Sequence, residues 1–200
     1  MNIPAFPLVP ALAALLLAGC ATSPAPRLYV ASPDSGWRTA ALRENAPRAL
    51  TLRLAPVRLP AYLDRPQIVT RLSDHEIQAD SFHRWGMPLD VLASEILAGT
   101  LAGARADADI EVSPLRPMKG PGYLVQVEVV RLDGTLGGPV ELIARWTVAP
   151  ADNEREPVAR QLTRHVRDTS GKTYEAYVDA LRLTLSDLGS AIAQSIPPPP

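Results

Sequence analysis

Two runs of strict alternation, separated by a glycine-rich gap, constrain this chain more than any other feature. In "YLVQVEVVRL" (123–132) Tyr123, Val125, Val127 and Val129 share one face; in "PVELIARWTVA" (139–149) Val140, Leu142, Ala144, Trp146 and Val148 do the same. Successive side chains of a strand point to opposite faces, so a period of two sustained this long predicts two half-buried strands. The intervening "DGTLGG" (133–138) supplies residues that tolerate a tight reversal. The pair predicts a long antiparallel hairpin with one apolar face that needs a covering layer.

That layer is visible in two segments with helical spacing. "MPLDVLASEILAGTLAGA" (87–104) places Leu89, Leu92, Ala93, Ile96, Leu97 and Leu101 on one face, with Pro88 suited to a first turn and Gly103 near the end. "TYEAYVDALRLTLSDLGSAIAQSI" (173–196) aligns Tyr174, Tyr177, Val178, Leu181, Leu185, Leu188 and Ile192, with Thr173 as N-cap and a run of four prolines as the stop. Further strands are expected in "ALTLRLAPVRLPAYL" (49–63), where Pro56 implies a bulge or an edge, and in "QIVTRL" and "EIQAD" around the "SDHE" turn. "DADIEVSPL" adds another before the loop "RPMKGPG", and "PVARQLTRHV" a last, weaker one. The expectation is an α+β domain: a mostly antiparallel sheet of about six strands with two amphipathic helices packed on one face.

The residue types that usually carry catalysis or metal binding do not fall into a recognisable spacing. Asp74, His75 and Glu76 share a turn, where solvated residues belong in any case. His83 and His165 lack an H-E-x-x-H context, and there is no C-x-x-C, G-x-S-x-G, P-loop or dinucleotide fingerprint. Asp107 and Asp109 read as the solvated start of a strand. With 20 basic and 21 acidic residues the formal charge is −1, which gives no electrostatic case for nucleic acid. No enzyme activity, metal or small-molecule cofactor is expected. Arg84 and Trp85 in "HRWGMPL" are the candidate partner surface, because Trp and Arg concentrate at binding hot spots; the alternative is a staple fixing the start of the following helix.

One cysteine, Cys20, stands in the whole chain, so an internal disulfide is impossible. It follows an apolar stretch, Ala5 to Ala18, of signal-peptide length and too short to span a bilayer as a helix. Leu17-Ala18-Gly19-Cys20 resembles the lipobox of bacterial lipoproteins, although "MNIPAF" ahead of it has no Lys or Arg. The alternatives are an ordinary secretory signal or an apolar N-terminal helix with an incidental cysteine. The resemblance implies cleavage between Gly19 and Cys20, an S-diacylglycerol on the sulfur and an acyl group on the new amine. Several chains anchor firmly where one is marginal. Ala21, where an Asp would signal retention, implies sorting to the outer membrane. The chain then divides into a signal peptide (1–19), a Pro/Ser-rich tether (20–47) in which "RLYVAS" could dock, a domain (48–196) and a proline tail (197–200).

The order of these features is similar to that of the ABC-type transport auxiliary lipoproteins, the family of the paraquat-inducible protein C lipoprotein. The likeness rests on "PAYLDRPQIV", through Pro60, Tyr62, Leu63, Pro66 and Ile68, and on Arg84-Trp85 followed by Pro88-Leu89. The hairpin strand through Trp146 and the last helix complete it. "RLYVAS" departs, with one tyrosine where the family often shows two aromatics. The likeness implies a non-catalytic docking part, facing the periplasm from the inner leaflet of the outer membrane. Its partners would be an MCE-domain protein and that protein's inner-membrane ABC transporter, in a system moving phospholipid; a lipid carrier acting alone is the second reading. Replacing Cys20 by Ala is expected to abolish palmitate incorporation and to remove the protein from outer-membrane fractions. Metabolic labelling followed by fractionation checks both.

Overall fold

A computed structural model of the chain describes residues 24–33, 50–112, 122–151 and 156–198. The fold is α+β, with eight strands and two helices in this order: β1 (Arg27–Tyr29), β2 (Leu50–Leu54), a 3-10 turn (Ala61–Leu63), β3 (Gln67–Arg71), β4 (Ile77–Trp85), α1 (Leu89–Ala104), β5 (Ala108–Val112), β6 (Gly122–Gly134), β7 (Pro139–Pro150), β8 (Ala159–Asp168) and α2 (Tyr174–Ser195). The strands form two sheets, ordered β1-β4-β3 and β5-β2-β6-β7-β8.

The β6–β7 hairpin is the longest feature, in register from Tyr123 opposite Pro150 to Gly134 opposite Val140, with a bulge between Val129 and Arg131. Its turn contains Gly137 at φ +79°, a conformation that L side chains rarely adopt. Val125, Val127, Val129, Val140, Leu142, Ala144, Trp146 and Val148 are all buried; α2 lies over β6, β7 and β8, while α1 packs against α2 and β5. The two helices pack on each other closely enough that a Cβ added at Gly189 would meet Thr100 at 2.9 Å. Thr173 caps α2, its side chain accepting from the Ala176 N–H.

The expected antiparallel pairing holds in β3–β4 and through β6, β7 and β8, but the large sheet is not purely antiparallel. β2 pairs in parallel with β5 on one side and with β6 on the other, so the large sheet is mixed. Leu50, Leu52 and Leu54 face the helices while Arg53 lies on the opposite face and binds Glu111 at 2.7 Å. Parallel neighbours need a crossover, and the chain from β2 to β5 supplies one through the small sheet and α1. After Leu54 pairing with β6 continues past Pro56: Ala55 N–H donates to Val125 O and Arg58 N–H to Val127 O, so β2's extension gains one residue there. Pro56 therefore marks a bulge on an interior strand rather than an edge. β4 also runs further than expected, through Trp85, and "RPMKGPG" lies almost wholly outside the described residues.

The small sheet is fastened to the large one by a buried carboxylate. Asp133, at the end of β6, is fully shielded from solvent. It accepts a two-point fork from Arg71 of β3 (2.7 Å to each oxygen), the Tyr62 hydroxyl at 2.8 Å and Arg131 Nε at 2.9 Å. Burial pushes the Asp133 carboxyl up, but these donors, Arg71 foremost, outweigh it and hold the group below the usual carboxylate range. Burial, reinforced by the bond to the carboxylate, pushes the Tyr62 hydroxyl up to about 12. The Tyr177 hydroxyl donates to Val69 O at 2.9 Å, so α2 holds β3 as well.

Replacing Asp133 by Ala leaves two guanidinium groups with a lost partner and is expected to destabilise the domain by about 3–5 kcal/mol. Because the folded pKa is depressed, its stabilisation is complete above the unfolded value of about 3.9 and is lost as pH falls below it toward the folded value. Urea titrations from neutral pH to pH 3 are expected to show wild type losing more stability on acidification than Asp133→Ala.

Candidate docking groove

Where β4 passes into α1 the chain borders a groove of about 650 Å³. Val57, Leu59, Leu63, Trp85, Met87 and Leu89 give it an apolar floor. Arg65 and Asp64 stand on the 3-10 side of the rim and Asp90 on the helix side. Each wall follows from local sequence. Pro60, extended at ψ 146°, starts the 3-10 turn, which carries Leu63 inward and lets Tyr62 reach Asp133. The Pro66 carbonyl accepts the Trp85 N–H at 2.7 Å and ties the turn to the end of β4. Pro88 is extended at the N-cap of α1, which biases the residue before it away from helix and keeps Met87 beside the groove. Ser94 on α1 accepts the Val57 N–H at 3.3 Å, holding the opposite wall.

Arg84 and Trp85 lie on opposite faces of β4. Consecutive strand residues point to opposite faces, so Trp85 turns inward, 6% exposed, and lines the groove, while Arg84 lies on the other face with its Nε donating to Ser81 O. Gly19 and Cys20, the expected cleavage and lipidation positions, lie outside the described residues. "RLYVAS" contributes β1, which pairs in parallel with β4: Leu28 opposite Arg84 and Tyr29 opposite Trp85.

A polar cluster ties β1, β4 and α2 together beside the groove. The His83 ring stacks on Tyr174 at 3.9 Å between centroids, and Tyr29 packs near both. Asp80 accepts from the Tyr174 hydroxyl at 3.0 Å, and its other oxygen lies 3.0 Å from His83 Nδ1. Burial raises the Asp80 carboxyl, but the His83 contact, the Phe82 N–H and the Tyr174 hydroxyl bring it below its ordinary value. Burial and the bond to Asp80 push the Tyr174 hydroxyl up to about 12. Asp80 and His83 are three residues apart, but Tyr29 and Tyr174 come from distant parts of the chain, and no local spacing announces the cluster.

The remaining titratable candidates do not converge. His75 stays in the β3–β4 turn, while His165 on β8 contacts the Thr163 hydroxyl at 3.2 Å. Asp107 pairs with Arg105, which also donates to the carbonyls of Ile196 and Pro197 and secures the end of α2. Among the described residues no group of three or more His, Cys, Asp or Glu is placed to hold a metal ion, and no helix is long and apolar enough to cross a membrane. The arrangement is suited to holding an apolar segment with charges at its ends.

The model of the ABC-type transport auxiliary lipoprotein component family matches residues 37–193, and the chain belongs to that family. No curated protein matches the sequence. Among solved structures, one described only as an uncharacterised protein superposes with a TM-score of 0.69 at 17% identity, covering 87% of this chain and all of its own. Protein XCC0632 from Xanthomonas campestris, of the DUF330 family, gives 0.58 at 17% identity, covering 84% of this chain and 90% of its own. At that identity the likeness is one of fold. The chain is thus an auxiliary lipoprotein component of ABC-type transport.

Trp85→Ala is expected to cost about 3–5 kcal/mol by opening the space between the 3-10 turn and α1. Met87→Ala, at the half-buried margin, is expected to leave the melting temperature within a few degrees of wild type. Thermal melts of the two variants check the contrast.

Proposed function

We propose that this protein is a non-catalytic docking component of an MCE-type ABC system that moves phospholipid between membranes. In this reading it is anchored through Cys20 to the inner leaflet of the outer membrane, with the domain facing the periplasm. One observation carries the reading. The two segments on which the family likeness rests, around Pro60–Ile68 and Arg84–Leu89, flank the β3–β4 hairpin and meet at the same groove. Leu63 and Pro66 come from the first, Trp85, Met87 and Leu89 from the second. An apolar floor with Arg65 and Asp90 at the rim suits a partner segment that inserts apolar side chains and pairs charges at the edge. Work would come from ATP hydrolysis by the transporter, since the sequence contains no phosphate-binding loop.

The apolar lining also supports the second reading, a carrier that lays a lipid acyl chain in the groove. A photocrosslinker at Leu59, on the groove wall, is expected to capture an MCE-domain protein in cells, while one at Leu162, on exposed β8, is not. Capture of other envelope complexes without any MCE-domain protein would rule the docking reading out. Native mass spectrometry of the mature protein separates the two: copurifying phospholipid favours carriage, and its absence favours docking.

A further inference from the structure

The outer face of the small sheet carries exposed apolar side chains on the strand nearest to Cys20 in sequence. Leu28 and Val30 are the most exposed large apolar side chains among the described residues, at 67% and 63%, and Phe82 on β4 is 44% exposed. Leu28 is the register partner of Arg84, so the two project from the same face, opposite Tyr29 and Trp85. Val30 follows on the same side, its Cγ1 only 2.7 Å from where a Cβ on Gly86 would lie. Arg27 is exposed at the start of the strand.

Chain length decides what meets this face. Arg27 stands seven residues after Cys20, and seven residues reach at most about 25 Å even when fully extended. A folded domain of this size has a radius of gyration of about 15 Å, so its far side stands beyond that reach from β1. Because β1 is bonded into β4, the domain cannot be lifted away on the long tether that the sequence implies. The corner carrying β1 is held nearest the bilayer.

From this, and resting on lipidation at Cys20, we infer that Leu28, Val30 and Phe82 sit in the headgroup–acyl boundary of the phospholipid bilayer that holds the anchor, with Arg27 and Arg84 at the headgroups. Apolar side chains flanked by arginines are the composition that partitions there, the aliphatic stem of Arg buried and its head in the polar layer. The contact orients the docking groove: Trp85 and Arg84 alternate, so the face opposite the membrane contact is the one that packs toward the groove. A second copy of the chain is a poor occupant. Three apolar side chains, Leu28 in β1, Val30 just after it and Phe82 on β4, fall short of the roughly 800 Å² per partner of a standard interface.

The test uses the mature lipoprotein in vesicles of phosphatidylethanolamine and phosphatidylglycerol with brominated acyl chains. Leu28→Cys, Phe82→Cys and Leu162→Cys are each labelled with a polarity-sensitive fluorophore, the Cys20 sulfur being consumed by its lipid. Labels at 28 and 82 are expected to lose fluorescence on the order of twofold, the change expected for a group at the acyl boundary, while the label at 162 keeps its signal. Lipid on Cys20 by intact mass with no quenching at 28 and 82 overturns the membrane contact and leaves the docking reading standing. Equal quenching at all three positions overturns it too, since no face is then preferred. Shielding that rises with protein concentration rather than with lipid assigns the face to a second copy and also overturns it. An unmodified Cys20 removes the anchor, and the docking reading and this contact then fall together.

Discussion

The structure depends on a single buried carboxylate. Asp133 is out of water at the end of the central hairpin, where an isolated charge would be strongly disfavoured. It is tolerable because Arg71, Tyr62 and Arg131 all donate to it, and two of those donors belong to segments outside the hairpin. Arg71 brings β3, and with Nη1 it also holds the carbonyls of Ser73 and Asp74 in the β3–β4 turn. Tyr62 brings the 3-10 turn. A small sheet of three strands is thereby made part of the same body as the large one.

The groove follows from this arrangement. Once β3 and the 3-10 turn are fixed against β6, Pro66 can accept the Trp85 N–H and the groove acquires two walls. The floor is apolar because Leu63 and Trp85 both line it, and Pro88, not helical itself, leads the chain past it into α1. The second lock, the Tyr177 hydroxyl on Val69 O, sets the same sheet against α2. Two hydrogen-bonded junctions therefore stand behind the groove.

Legibility of the candidate site was uneven. A lipobox is a covalent-chemistry signal read from a short linear stretch, so the resemblance at Leu17 to Cys20 is legible without any fold. Trp85 drew attention as an unusual residue, but its pairing with Arg84 as one surface dissolves once strand alternation sends them to opposite faces. The Asp80–His83–Tyr174 cluster was invisible, because 94 residues separate Asp80 from Tyr174 and only the packing of α2 against β4 brings them together. Asp133 looked like an ordinary turn residue in "DGTLGG". Nothing local marks a carboxylate whose partners arrive from β3.

The sequence by itself determined the elements: the hairpin through Val125 to Val148, the two amphipathic helices, the strand at Leu50–Leu54 and the Thr173 cap all follow from period, propensity and capping, which act between near neighbours. Tertiary structure alone decided strand direction, the split into two sheets and the docking of β1. Alternation reports which face of a strand is buried and is blind to the direction of its neighbour. β2 reads the same whether β5 and β6 run with it or against it. Hydrogen bonds between distant segments settle that, and so does a buried charge that only the assembled fold can satisfy.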